Sequence, residues 1–334
     1  MTPPTVTLKD VAQRAGVSRS AASRTFTKGA SVSSKTREKV TRAATELGYR
    51  PNFLARALST RRTQLIGLVS NNFHNPMFLE IFDLFTKGLQ DRGLRPLLVN
   101  LSDETEPENS VRMLQQYSVD GVVVASSTLP SVFAKAFRDA GMPVVHAFGR
   151  NAKEPAVHVV GIDNILCGRM AARCLIERGY SRIGFMGGPQ AATSTLDRLN
   201  GFCAECSAEN INVTQSFASA YTFEAGRTEM LRLLRSNPAE AYFCGDDVLS
   251  IGAMSAVQSC GLNIPEDVGI IGLNDMEMAG WQNINLTTIR QPIDRIVKTS
   301  IELMIGSLNN PHSPPEVRMH SCELIERGTL KARA

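Results

Sequence analysis

The stretch from Thr7 to Phe26, TLKDVAQRAGVSRSAASRTF, reads as two short helices joined by a tight turn. Thr7 and Asp10 have the spacing of a helix start, where a hydroxyl can serve first-turn amides. Leu8, Val11, Ala12 and Ala15 then share one face at helical spacing. Gly16 follows, where a helix end favours a left-handed residue. Ser18 can cap a second helix that turns Arg19, Ser20, Ser23 and Arg24 outward and Ala21, Ala22 and Phe26 inward. Two helices about a glycine turn, the second studded with Arg and Ser, form the pattern of a DNA-binding helix-turn-helix. The same segment could be an ordinary helical hairpin, so its surroundings decide.

Working outward, Ser33 caps a third helix that ends near Leu47-Gly48-Tyr49. Its buried stripe is Val40, Ala43, Ala44 and Leu47. Arg50-Pro51 breaks the pattern. Asn52 opens a very short fourth helix over Phe53, Leu54, Ala55, Arg56, Ala57 and Leu58, too short to stand alone in water. Residues 59–63 (STRRT) read as a linker. Up to Arg62 there are thirteen Lys/Arg against three Asp/Glu, and the remainder carries 23 basic and 29 acidic residues. A basic head on a mildly acidic body is the footprint of a polyanion-binding module joined to something else.

From Gln64 the rhythm changes. Apolar runs at 65–69, 97–101, 121–125, 144–148, 157–161, 183–186, 241–244 and 269–273 alternate with helix-period segments. Near-continuous apolar strands between helices mean parallel sheets covered on both faces. Two such series, breaking around 148–163, predict an α/β chain: a small all-α head, then a core of two doubly wound parallel-sheet lobes. The expected boundaries are 1–50 for the head, 51–63 for hinge and linker, and 64–334 for the two-lobed core. Ligands of such sheets bind beyond the carboxyl ends of the strands. With 334 residues the chain can bury several cores. No run is long enough to span a membrane, and no apolar leader precedes the head, so the expected location is cytoplasmic. Seven cysteines, an odd and scattered set, read as reduced thiols rather than a disulfide framework.

The segments TLKDVAQRAGVSRSAASR, VSSKTREKV and ELGYRPNFLARAL together resemble the head of the lactose-repressor/galactose-repressor (LacI/GalR) transcription regulators. RTQLIGLV, NPMF, DGVVV, VGIDN, RIGFMGGP, RLNGF, GDDVLSIGA, IPEDVGIIGLND and LTTIRQP continue the resemblance in the family's order, from Thr5 to about Gly328. It implies a homodimeric, nucleoid-associated repressor with a periplasmic-binding-protein-like core. Each subunit would read one half of a pseudo-palindromic operator, and a small sugar-like effector would bind between the lobes. The chain departs from the family at Ala22, where Val is usual, at Thr25-Phe26-Thr27, where Val-Leu-Asn is usual, and at Asn274-Asp275, usually a pair of aspartates. The small Ala22 would leave a hole that Phe26 can fill.

Arg19 and Ser20 open the second helix, where side chains reach base edges, and Arg can pair bidentately with guanine. Arg24 is the third candidate reader. Thr7, Ser18, Ser23 and Ser33 sit at helix starts, where capping and phosphate contact are compatible. Lys35, Thr36 and Arg37 add phosphate neutralisation. The resemblance places Asn52, Ala55 and Arg56 against DNA and makes Leu58 a wedge between base pairs in the minor groove. For the effector, Asp163, Arg198, Asp246, Asn274 and Asp275 each follow a strand or its glycine loop, and such groups bind vicinal hydroxyls by charge-assisted hydrogen bonds. Asp247 could equally serve only to cap the next helix. Tyr221 and Trp281, with Phe73 or Phe78, are candidates for the apolar platform.

Other classes fare worse. No G-x-S-x-G, P-loop or metal-spaced His/Cys set is present, so neither enzyme activity nor a cofactor or metal is expected. Cys203-x-x-Cys206 falls in a helical stretch and reads as structural. A sugar-binding protein of a transport system shares the expected core fold, but not the basic helix-turn-helix head. The end of the chain shows no heptad run, which argues against a C-terminal coiled-coil tetramer.

Overall fold

The computed structural model describes residues 6–27, 29–50, 62–101, 106–236 and 238–333. The chain divides into two compact units, Met1–Thr63 and Gln64–Ala334.

In the first unit, α1 (Leu8–Ala15), α2 (Arg19–Thr25) and α3 (Ser34–Leu47) each begin and end for a local reason. The Asp10 carboxylate accepts from the Thr7 amide at 2.8 Å and from its hydroxyl at 2.7 Å. Ser18 Oγ accepts from the Ala21 amide at 3.1 Å, and Ser33 Oγ from the Thr36 amide at 3.2 Å. Each such cap is worth about 0.5–2 kcal/mol. Gly16 at φ +66° ends α1 in the left-handed conformation and turns the chain into α2. Val11, Ala12, Ala22, Val40, Ala43 and Ala44 are buried together, with Leu8, Val17 and Leu47 around them. Phe26 joins this cluster and packs on Tyr49 with ring centroids 5.6 Å apart.

The second unit holds two six-stranded sheets. The first lobe contains β1 (Leu65–Ser70), β2 (Arg95–Asn100), β3 (Gly121–Ala125), β4 (Val144–Ala147) and β5 (His158–Ile162). The second contains β6 (Ile183–Gly187), β7 (Val213–Phe217), β8 (Ala241–Cys244), β9 (Gly269–Asn274) and β10 (Thr287–Arg290). Each runs in the order 2-1-3-4-5 of its own strands, with every one of these pairings parallel. The reversal of order therefore falls between β1 and β3 in one lobe and between β6 and β8 in the other, which is where a crevice opens. Strands such as GVVVA and GIIGLN are buried along their whole length, as parallel sheets require.

The helices are α4 (Met77–Gln90), α5 (Pro107–Gln116) and α6 (Ser131–Asp139) in the first lobe, and α7 (Asn164–Ile176), α8 (Thr193–Ala208), α9 (Phe223–Leu234) and α10 (Asp247–Ser259) in the second. α7 and α8 touch at glycines: a Cβ on Gly168 would meet the Arg198 carbonyl at 2.1 Å, and one on Gly201 the Ile165 carbonyl at 1.9 Å. One apolar cluster runs through both lobes, from Ile66 and Val123 to Phe185 and Phe243.

The lobes are not consecutive in sequence, as a single break at 148–163 would make them. After β10 the chain returns to the first lobe as α11 (Ile293–Asn309) and β11 (Val317–His320), which pairs with β5. It then crosses again to form β12 (Glu323–Ile325), antiparallel to β10. Three crossings, near Asp163, Gln291 and Ser321, thus join the lobes. Among the described residues no helix is long and apolar enough to cross a membrane.

Candidate functional site

Two separate surfaces carry the polar groups singled out above. In the head, Arg19, Ser20, Ser23 and Arg24 are exposed along α2. The first turn that holds Arg19 and Ser20 is capped by Ser18, so its free amides and side chains face outward together. Lys35 is exposed at the start of α3, while the Thr36 hydroxyl accepts from Ser33 at 2.9 Å. Arg37 stays exposed on α3, and its guanidinium donates to the Thr25 carbonyl at 3.0 Å, which ties α3 to the end of α2. Asn52, Ala55, Arg56 and Leu58 lie outside the described residues.

The second surface is the crevice between the lobes. It is lined from the first lobe by Asn72, Asn75, Met77, Ser127 and Phe148, and from the second by Arg198, Tyr221, Asp246, Asn274 and Gln291. All but Arg198, in the second turn of α8, follow strand carboxyl ends or start the helices beyond them. The enclosed space is only ≈ 10 Å³, about one water molecule. A ligand pocket normally needs roughly 300 Å³ or more, so the lobes must part to admit a sugar-sized molecule.

Asp246 is the centre of this constellation. It caps α10, accepting from the Val248 amide at 2.8 Å. Its other oxygen accepts from Asn75 Nδ2 at 2.9 Å across the crevice and from Asn274 Nδ2 at 2.8 Å. Burial pushes its pKa up to about 6 against these stabilising bonds. Gln291 donates in turn to Asn274 Oδ1. Arg198 is buried at 4% exposure, its Nε donating to Asn164 Oδ1 at 2.8 Å and its Nη1 to the Gly245 carbonyl at 2.6 Å. The Tyr221 hydroxyl shares a 2.6 Å hydrogen bond with Thr195 Oγ1, which fixes its ring against the cavity. Arg150 reaches Asp197 at 2.6 Å and the Thr193 hydroxyl donates to the Ser127 carbonyl at 3.4 Å, so these contacts join Asn75–Asp246 in bridging the lobes.

The structure separates the remaining candidates from this cavity. Asn274 at φ +129° and Asp275 at φ +57° make a left-handed kink that sends neighbouring side chains in different directions. Asn274 lines the crevice, whereas Asp275 pairs with Arg290 at 2.7 Å and Arg327 at 2.6 Å. Asp163 caps α7 through the Leu166 amide at 3.0 Å. Phe78 is core, packed on Phe82 and Phe148, and Phe73 stacks on Phe82 at 4.8 Å. Trp281 follows a 3-10 turn and is 52% exposed. Asp247 is fully buried and accepts from the Met276 amide at 2.8 Å and the Thr288 hydroxyl at 2.5 Å, bracing β10 and the turn after β9. Burial pushes its pKa up to about 7.

Sequence reasoning passed over Asn72, Asn75, Met77, Ser127, Phe148 and Gln291. Asn75 and Met77 stand in the NPMF quartet and Gln291 in LTTIRQP, motifs that carried the resemblance but received no chemical role. Phe148 adopts φ +63°, a conformation no sequence pattern signals in a bulky residue. Among the described residues no group of three or more His, Cys, Asp or Glu could hold a metal ion.

Residues 7–52 match the family model for bacterial regulatory proteins, lacI family, and residues 172–330 match the periplasmic binding protein-like domain. The HTH-type transcriptional repressor PurR of Escherichia coli O1:K1 / APEC is 33% identical over 331 residues, which cover 97% of this chain and 96% of that one. Among solved structures, the transcriptional regulator CelR–cellobiose complex is 29% identical, with TM-score 0.73 over 97% of this chain and 99% of that one. The lac repressor dimer bound to operator and the anti-inducer ONPF shares the fold, with TM-score 0.88 at 24% identity over 98% of this chain and 100% of that one.

Proposed function

We propose, from the premise that this chain belongs to the lacI family of bacterial regulatory proteins, a division of labour between its two surfaces. The protein is a DNA-binding transcription regulator with an effector-binding core. Arg19, Ser20 and Arg24 on α2 read base edges, with Thr7, Ser18, Ser23, Lys35 and Thr36 on the phosphates. Asn52, Ala55, Arg56 and Leu58 extend that contact, Leu58 as the minor-groove wedge. A homodimer presents two such heads to a pseudo-palindromic operator. A protein that reads the chromosome works in the cytoplasm, on the nucleoid.

The effector is a polyhydroxylated molecule of sugar type. Arg198, Asp246, Asn274, Asn75 and Gln291 supply donors and acceptors for vicinal hydroxyls, and Tyr221, Phe148 and Met77 supply apolar faces. The relative solved with cellobiose supports an effector of sugar type. We assign the cavity a binding role and no catalytic step. The observation that carries this reading is the Asp246 carboxylate, held at once by Asn75 of one lobe and Asn274 of the other. An effector that replaces the Asn75 contact changes the separation of the lobes, and by linkage effector and operator affinities are then coupled reciprocally.

A thermal-shift panel of sugars, polyols and sugar phosphates tests the effector. A binder raises the melting temperature of the native chain and leaves Asp246→Ala unmoved; an equal rise in both removes Asp246 from the site. Electrophoretic retardation of the DNA upstream of its own locus, with and without that binder, tests the coupling. Operator affinity that ignores a proven binder overturns it.

A further inference from the structure

Arg198 is the one cation among the residues that line the crevice, and a side chain with so many rotatable bonds must be held to be useful there. It stands in α8, buried, and two neutral oxygens hold it. Nε donates to Asn164 Oδ1 at 2.8 Å, and Nη1 donates to the Gly245 carbonyl at 2.6 Å. The two acceptors grip the planar fork at different nitrogens, so they fix its direction and its plane together. Among the described residues Nη2 meets no acceptor, and Arg198 borders the crevice.

We propose that Asn164 is a positioning residue of the effector site: its amide oxygen aims the Arg198 guanidinium so that Nη2 serves a hydroxyl bound in the crevice. This rests on the reading of Arg198 as an effector contact. Asn164 is the first residue of α7 and is 7% exposed. Its backbone is pinned by its neighbour. The Asp163 carboxylate accepts from the Leu166 amide at 3.0 Å, and the Asp163 carbonyl accepts from the Cys167 amide at 3.0 Å. α7 in turn lies hard against α8, since a Cβ on Gly168 or Gly201 would meet backbone oxygen at 2.1 or 1.9 Å. Helices this close leave neither Asn164 nor Arg198 room for a different partner.

The amide is the group this task requires. With no acceptor at position 164, a buried guanidinium would keep an unmade charge-assisted bond and its desolvation cost. A carboxylate there would hold the fork too, but as an ion pair that takes up the charge offered to the effector. The neutral oxygen orients the cation and leaves its charge to the crevice. That charge already draws the Asp246 carboxyl downward, against the larger upward push of burial. The second anchor serves the same frame. Gly245 immediately precedes Asp246, and its own amide donates to the Met186 carbonyl at 3.0 Å. The cation and the carboxylate of the site are therefore set by one rigid part of the second lobe.

The test reads Arg198 directly in the full-length chain, by phenylglyoxal modification of guanidinium groups followed by peptide mass mapping. In Asn164→Leu, similar in size but without an acceptor, Arg198 should be modified about tenfold faster than in the parent protein. Arg178, also buried and two residues beyond the far end of α7, is the internal control and should keep its rate. In Asn164→Asp, which suits a helix N-terminus and restores the acceptor, Arg198 should react at or below the parent rate. An unchanged Arg198 rate in Asn164→Leu, or equal acceleration of Arg178, overturns the positioning role, the second because it means general loosening. If Asn164→Leu does not fold, the aspartate variant decides: protection at the parent level supports the role, and faster modification overturns it. The same proteins are then carried through the thermal-shift panel of sugars, polyols and sugar phosphates. A compound that stabilises the parent should bind Asn164→Leu about tenfold more weakly. Undiminished binding beside a freed Arg198 overturns the effector reading of Arg198 and leaves the anchoring intact, so the two failures are distinct.

Discussion

Asn75 Nδ2 of the first lobe donates to Asp246 Oδ2 of the second at 2.9 Å, and the accepting carboxylate is 4% exposed. The closing contact is thus a charge-assisted hydrogen bond in a buried crevice, worth about 1.5–3 kcal/mol. Asn75→Asp places a second carboxylate against a buried one. The lobes should part, and small-angle scattering should show a larger radius of gyration at pH 8 than at pH 5, where protonation of one carboxylate restores a shared hydrogen bond. A radius equal to that of the parent protein at both pH values would show that this pair does not hold the crevice shut.

Asp247 makes stability depend on pH. Its folded pKa of about 7 lies above the ordinary 3.8 because burial disfavours the charge. Between pH 4 and 7 the folded protein keeps a proton that the unfolded chain has released, so stability falls as pH rises through that window. Asp247→Asn lowers the melting temperature at pH 5, since the acceptors for Met276 and Thr288 are disturbed. The gap between parent and variant should narrow toward pH 8. Parallel melting curves across that range would sink the assignment.

Gly201→Ala drives a methyl against the Ile165 carbonyl, 1.9 Å from the ideal Cβ position. α7 and α8 must then separate, at a cost of about 1–3 kcal/mol. Urea denaturation should show that loss. The same shift displaces Arg198, which sits on α8 beside the contact, so effector binding should weaken as well. Full stability in the variant would mean that the two helices are not held this closely.

Arg19→Ala should lower discrimination at one base pair of each half-site by about 1–3 kcal/mol, read by retardation of operator variants. Leu58→Ala should weaken operator binding without changing preference among bases, and should leave the effector-induced thermal shift intact. Undiminished operator affinity in Leu58→Ala would remove the wedge from the scheme.

Some of this was legible from local chemistry alone. Ser18, Ser33, Gly16 and Gly48 mark helix ends through bonds made within a few residues, and the head emerges as its pattern implies. Apolar strands followed by Arg198, Asp246 and Asn274 announce parallel sheets with polar groups at their carboxyl ends. β7 and β10 escaped because VTQSF and TTIR are short and polar, with too few apolar positions to show a period. α11 does carry a readable stripe, at Ile293, Ile296, Val297, Ser300, Ile301 and Met304, yet nothing in that stripe says that it packs in the lobe the chain had left.

The linear chain thus determined the elements, the basic head and the class of groups available at the strand ends, because capping, periodicity and charge act over a few residues. Tertiary structure alone decided which of those groups share a cavity. Asn274 and Asp275 are adjacent in sequence, but a left-handed turn sends one to Asp246 and the other to Arg290 and Arg327. Asn75 and Asp246 lie 171 residues apart, and only the approach of two lobes brings a donor to that carboxylate. Contacts of that range depend on how whole sheets meet, which no window of sequence contains.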